Sequence, residues 1–217
     1  MKGPRKPGEG TFPHLHIITD ADILQGQGFR EMAARLLEDG GEAVALHLRA
    51  PDTGPLRLWT LAEELLPTAL SSGGRLQVND RVDVALAVPG VGVHLRGDSL
   101  PTSRARKLLG PHLFMGRSIH AAEEAWAEEE GGADYLLLGT IYPTASHPGV
   151  TGCGVGGIRH VGSVSSTPLV AIGGITPERV AEVRGTGAWG VAVLRGIWGS
   201  ADPLKAMNEF LTGWEAA

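Results

Sequence analysis

The sequence predicts a single (β/α)8 TIM barrel of the α/β class, and three observations carry that expectation. Eight short apolar or β-branched runs recur along the chain, near His14–Thr19, Ala43–Arg49, Arg75–Val78, Gly92–Leu95, His112–Met115, Tyr135–Gly139, Leu169–Ile172 and Gly190–Leu194. Their centres lie roughly 16–33 residues apart, mostly enough for an intervening helix, and strands joined through a helix must run parallel. The chain has 217 residues, a length at which α/β barrels form one unit with a sizeable core. A doubly wound open sheet has the same element count and stands as the structural alternative, because counting strands does not prove closure.

Helical periodicity fills the gaps between the strands. Gly28–Glu38 aligns Met32, Ala33, Leu36 and Leu37 on one face, Leu56–Leu70 aligns Leu58, Leu61, Leu65 and Leu66, and Ile119–Glu130 aligns Ala122, Ala125 and Trp126. Asp80–Val88, Thr102–Leu109, Val155–Val161, Pro177–Arg184 and Pro203–Trp214 supply the rest, the last two opening on Pro after Thr176 and Asp202 as caps. Glycine contributes 32 residues without any triplet period, which reads as many tight turns rather than collagen or low-complexity sequence. No linker divides Leu15 from Phe210, so residues 14–217 read as one barrel domain. Residues 1–13, with Lys2, Arg5 and Lys6 among glycines and prolines, read as a flexible tail rather than a signal peptide.

Charge and composition exclude several functions. With 19 Lys+Arg against 24 Asp+Glu the formal charge is −5, so no positive field draws in nucleic acid or an anionic membrane. No apolar run approaches the ~18 residues of a membrane span. The one cysteine, Cys153, cannot form an internal disulfide, and the expected setting is the reducing cytoplasm. A small-molecule partner is what remains, with a homo-oligomer left open.

In a barrel of this kind the active site lies at the carboxyl ends of the strands. Alternation on strand two places Ala45, His47 and Arg49 on one face; if that face points inward, His47 and Arg49 reach a ligand, unless Arg49 simply pairs with Asp80 or Asp20. Asn79, His94, Arg117, Ser118, Thr144 and Ser146 stand at the exits of strands three to six and complete a substrate-binding set. Gly173–Gly174 after strand seven and Arg195–Gly196 after strand eight form a phosphate site in prospect, since glycine lets backbone N–H groups approach an anion at helix starts. The histidines show no zinc-like spacing, so no metal is expected, and His14, His16, His112 and His160 read as surface or strand-end residues. His120 differs, because it stands at a strand-to-helix junction where a neutral imidazole can act as a base. The acidic run Glu123, Glu124, Glu128, Glu129 and Glu130 reads as a solvated helix face.

The landmarks HIITD (16–20), HLR (47–49), NDRVDVAL (79–86), GVHL (92–95), GRSIH (116–120), GADYLLLGTIYPT (132–144), AIGGITP (171–177) and GVAVLRGIW (190–198) resemble, in this order, the thiamine phosphate synthase and TenI superfamily. The resemblance implies a barrel that binds thiazole phosphate. Synthases of the superfamily join a pyrimidine pyrophosphate to thiazole phosphate, with a lysine shortly after the strand-two arginine and Mg2+ on aspartates after strands three and four. Here Ala50 and Pro51 follow Arg49, Asp80 fills one metal position, and Ser99 stands at the other with Asp98 beside it. The T-x-T-K pattern after strand six reads Thr144-Ala145-Ser146-His147.

These departures, and GRSIH before an acidic helix, favour a TenI-type thiazole tautomerase, an isomerase that aromatises a carboxythiazole phosphate with His120 as the base and no cofactor. A synthase, with Mg2+ on Asp80, is the alternative reading, and a silent thiazole-phosphate-binding regulator is a third.

Overall fold

The computed structural model describes residues 12–51, 53–144 and 149–217. Eight parallel strands close into a barrel in sequence order: β1 (Leu15–Ile18), β2 (Val44–Leu48), β3 (Arg75–Asn79), β4 (Gly92–Leu95), β5 (Met115–Ile119), β6 (Tyr135–Gly139), β7 (Leu169–Ile172) and β8 (Gly190–Val193). Closure is made by β8 on β1, where Leu15 and Val191 stand opposite each other. The open-sheet alternative is thereby excluded.

The connecting helices are α1 (Ala21–Gln25), α2 (Phe29–Gly40), α3 (Pro55–Ser72), α4 (Val82–Ala87), α5 (Thr102–Leu109), α6 (Ala122–Glu130), α7 (Gly154–Val164), α8 (Pro177–Arg184), α9 (Arg195–Trp198) and α10 (Pro203–Glu215). The short α1 and α9 lie inside loops and carry too little apolar period to be read from sequence. Asp20 caps α1 by accepting from the Ile23 N–H at 2.9 Å, and Asp202 caps α10 by accepting from Lys205. Leu36, Leu37, Leu58, Leu61, Leu65 and Phe210 fill the layer between helices and barrel, which is the main core.

Two expectations need correction. Strand five is Met115–Ile119, not His112–Met115, so Arg117 and Ser118 lie within a strand and face opposite ways. The barrel domain begins before residue 14, because Phe12 sets its ring edge-on against Phe114, Tyr135 and Trp189 and the Pro13 side chain is buried. Residues 1–11 lie outside the described residues.

A second corner of the fold is fastened by Arg106 of α5. Its guanidinium donates to the carbonyls of Gly110, Leu113 and Gly132 and to Asp134 Oδ2 at 2.8 Å, and Asp134 also accepts from the Met115 N–H. Side-chain exposures of 17% and 19% make this a sheltered pair, and removing one partner leaves the other under-satisfied. Arg106→Met should cost about 2–3 kcal/mol, the range for buried bonds to charged groups, read by urea denaturation, while ligand binding stays unchanged.

Candidate active site

The barrel interior has two chemically different halves. Leu137, Val170, Ile172 and Ala192, from β6 to β8, are apolar. From β1 to β5 come His16, His47, Gln77, Asn79, His94 and Ser118, joined by Tyr135 of β6, where interior positions of such barrels are usually branched and apolar. Burial of so many polar groups is tolerable only when they are hydrogen-bonded to one another.

The partners fix the direction of nearly every bond. Tyr135 Oη donates to Gln77 Oε1 at 2.9 Å, so it accepts from His94 Nδ1–H at 2.8 Å, and His94 Nε2 in turn accepts from the Ser118 hydroxyl at 2.8 Å. On the other branch His47 Nδ1–H donates to Asn79 Oδ1 at 3.3 Å, which makes His47 Nε2 the acceptor for Gln77 Nε2 at 3.2 Å and His16 Nδ1–H at 2.9 Å. All three histidines are neutral. Burial lowers the pKa of His47 from 6.5 to about 3; burial first, then the neighbouring histidines, holds His16 and His94 well below 6.5. Burial also pushes the Tyr135 hydroxyl well above its ordinary value, so it stays a donor. His16 Nε2 is the one network atom left without a partner.

The network ends at the barrel mouth. Asn79 uses its oxygen inward, so the network does not engage its amide N–H groups, while Ser118 spends its proton on His94 and keeps its lone pairs. His47 and His94, expected to touch substrate, sit one layer below as fully buried supports for these two groups. His16, expected at a strand end or surface, is also fully buried. Gln77 and Tyr135 were not legible as site residues; the only signal was two polar side chains at inward positions of β3 and β6.

The other expected residues divide between mouth and scaffold. Arg49 follows β2, with its backbone N–H held by Thr19 Oγ1 at 2.9 Å, and its charge bears on His94. Arg117 faces outward: its guanidinium donates to Gly97 and Leu100 carbonyls at 3.0 Å and its Nε lies 3.3 Å from Glu128, outside hydrogen-bond geometry. It anchors the β4–α5 loop and is not at the mouth, a correction that follows from the strand register. Thr144 lies partly exposed after β6, and Ser146 lies outside the described residues.

His120 stands at the end of β5, exposed. Its Nδ1–H donates to the Gly139 carbonyl at 2.8 Å, leaving Nε2 as an acceptor beside Gly97. It does not cap α6; Glu124 accepts from the His120 and Ala121 N–H groups instead. Glu128 takes the Thr102 hydroxyl, and Glu129 takes the hydroxyls of Ser165 and Ser166, so three of the five acidic residues read as a solvated face hold the scaffold together. Partial burial pushes the Cys153 thiol up, away from thiolate chemistry.

The glycine loops come together because β7 and β8 are neighbours. Gly173 and Gly174 have φ of +103° and +65°, and a Cβ on Gly174 would lie 2.8 Å from both Tyr142 Cβ and the Pro143 carbonyl. Their glycine requirement therefore comes from backbone conformation and close packing as well as from any anion. Gly196 is needed for packing too, since a Cβ there would lie 2.9 Å from Val193 Cγ1 and 3.3 Å from Phe210. Arg195 opens α9 beside it.

Asp80, directly after β3, has φ of +60° and turns its carboxylate to the adjacent strand end. Its Oδ1 accepts from the Arg96 backbone N–H at 2.8 Å and its Oδ2 lies 2.5 Å from Arg96 Nε. Asp98 is 3.6 Å from the same guanidinium and largely exposed. Among the described residues no group of three or more His, Cys, Asp or Glu is arranged to hold a metal ion.

A closed parallel barrel with a polar half-interior leading to Asn79, Ser118, Arg49 and two glycine loops at one end has the form of a (β/α)8 enzyme. The chain belongs to the TMP-TENI family, described as thiamine monophosphate synthase, whose model matches residues 15–197. It is 36% identical over 196 residues to the thiamine-phosphate synthase of Methanoregula boonei, covering 90% of each chain, and 37% identical over 204 residues to that of Syntrophomonas wolfei, covering 93% and 96%. The thiamine phosphate pyrophosphorylase of Pyrococcus furiosus superposes with a TM-score of 0.80 at 31% identity, covering 94% of this chain and 96% of that one.

These relatives overturn the tautomerase expectation and the isomerase class with it. That expectation rested on a few local departures, at positions 50–51, 99, 116–120 and 144–147, whereas similarity along nine-tenths of the chain runs to proteins named as synthases. The described residues contain no helix long and apolar enough to cross a membrane.

Proposed function

We propose that the protein is a transferase of the thiamine-phosphate-synthase type, joining a pyrimidine pyrophosphate to a thiazole phosphate. The observation that supports this most strongly is the whole-length similarity to synthases from several organisms. In such a transfer the bond from the pyrimidine methylene to the diphosphate breaks, the bonding pair leaves with the diphosphate, and the thiazole nitrogen supplies the pair for the new carbon–nitrogen bond. No general base is required. The barrel contributes orientation and charge: Asn79 N–H groups and Ser118 lone pairs grip polar ring edges, Arg49 offsets developing negative charge, and the Gly173–Gly174 and Arg195–Gly196 loops take the thiazole phosphate.

The family resemblance implies Mg2+, and the residues present do not fit it. Both oxygens of Asp80 are engaged by Arg96, the partner carboxylate is replaced by Ser99, and the neighbouring Asp98 lies 3.6 Å from the same guanidinium. No step is routed through a metal ion.

Incubation with both substrates should yield thiamine phosphate, detected as fluorescent thiochrome after oxidation, with one equivalent of diphosphate. Absence of product with retained calorimetric binding of thiazole phosphate would assign the site to binding alone. Arg49→Gln is expected to lower kcat/KM by about 10²–10³, the usual loss for a group aimed at transition-state charge, without a change in melting temperature.

A further inference from the structure

The disagreement at Asp80 has a charge logic of its own. A divalent cation on two carboxylates is a neutral unit, and so is one guanidinium on one carboxylate. This chain carries the second combination: Arg96 on Asp80 at 2.5 Å, with the second carboxylate position occupied by the uncharged Ser99 and the largely exposed Asp98 at 3.6 Å from the same guanidinium, beyond hydrogen-bond distance. The two departures match at these two positions, since either alone would leave the Asp80 unit charged. Arg96 is held to Asp80 by two bonds, its backbone N–H on Oδ1 and its guanidinium Nε on Oδ2, and yet its side chain remains 41% exposed at the strand ends. A planar guanidinium donates from further nitrogens, and its fork suits phosphate oxygens. A small dication that demands near-ideal octahedral oxygen ligands would meet a carboxylate already occupied and a cation beside it.

We propose, on the transferase reading above, that Arg96 replaces the divalent cation of the family and binds the diphosphate of the pyrimidine substrate directly, so that this protein takes its diphosphate without a metal ion.

The test uses the full chain, Mn2+ followed by electron paramagnetic resonance, and inorganic pyrophosphate followed by calorimetry. Wild-type protein should show no saturable Mn2+ binding and should bind pyrophosphate equally well in Mg2+ and in EDTA. Arg96→Ala should weaken pyrophosphate binding in EDTA by about tenfold or more, the loss expected for a charge-assisted contact. The double variant Arg96→Ala with Ser99→Asp, which restores two carboxylates, should gain saturable Mn2+ binding. Stoichiometric Mn2+ on the wild type that Asp80→Asn abolishes would overturn the proposal. So would pyrophosphate affinity that needs Mg2+ or is unchanged in Arg96→Ala, or a double variant that gains no Mn2+ site. Turnover is measured separately in Mg2+ and EDTA: no thiamine phosphate in either condition removes the transferase reading, and the binding results then judge Arg96 on their own.

Discussion

Acidification below about pH 6 is expected to unfold this protein steeply, because three fully buried histidines must stay neutral in the barrel and are free to protonate once it opens. His47 carries the clearest sign. Its pKa falls from 6.5 in the unfolded chain to about 3 in the barrel, so the stability it contributes is complete above 6.5 and lost as pH falls from 6.5 towards 3. That interval corresponds to about 5 kcal/mol at ~1.4 kcal/mol per pH unit. His16 and His94 shift in the same direction and steepen the loss, to about 4 kcal/mol per pH unit where all three differ between states. Total stabilities of about 5–15 kcal/mol do not survive that for long. Urea midpoints between pH 7.5 and 4.5 check the slope. His47→Gln, whose amide can replace one donor and one acceptor, should remove about one proton from it. A midpoint independent of pH over this range would mean that the histidines are not held neutral together.

Gly116→Ala is expected to be among the most damaging single-methyl additions in the chain. A Cβ at Gly116 would lie 2.0 Å from Tyr135 Cζ and 2.4 Å from its hydroxyl. Tyr135 has nowhere to go, since its ring stacks on Phe114 and His94 and meets Phe12 and His16. Moving it would also unmake the bonds to Gln77 and His94, leaving buried polar atoms without partners. The cost should reach about 3 kcal/mol or more, overpacking combined with lost hydrogen bonds. Tyr135→Leu in the same chain should recover part of it, a coupling that a double-mutant cycle reads as an interaction energy. Additive effects of the two substitutions would place the strain elsewhere.

Function is where the sequence misled, and the reason is one of scale. Replacement of a lysine by Ala50-Pro51, Ser99 for a carboxylate and the GRSIH segment are each visible in the chain, and together they favoured a metal-free proton transfer. None of them reveals that Arg96 is bound to Asp80. That pairing joins residues sixteen apart, on adjacent strand ends, and only the register of β3 against β4 brings them to 2.5 Å. What looked like a metal site short of one carboxylate holds a carboxylate already paired with Arg96.

The fold was legible from the chain because it depends on local period. Alternation on strand two placed Ala45 and His47 on one face, glycine and proline marked the turns, and polar residues at strand ends marked the face where chemistry was expected. Register and depth were not legible, because they are set by how strands pair around a closed barrel. A shift of strand five by a few residues turned Arg117 from a ligand contact into a loop anchor and brought Ser118 to His94. Closure carried His47 and His94 below the surface of the mouth, joined His16, Gln77 and Tyr135 to them from three further strands, and so decided that the network ends at two polar groups, Asn79 and Ser118. Pattern along a strand is a property of the sequence; the direction of a hydrogen bond between strands depends on which partners closure supplies.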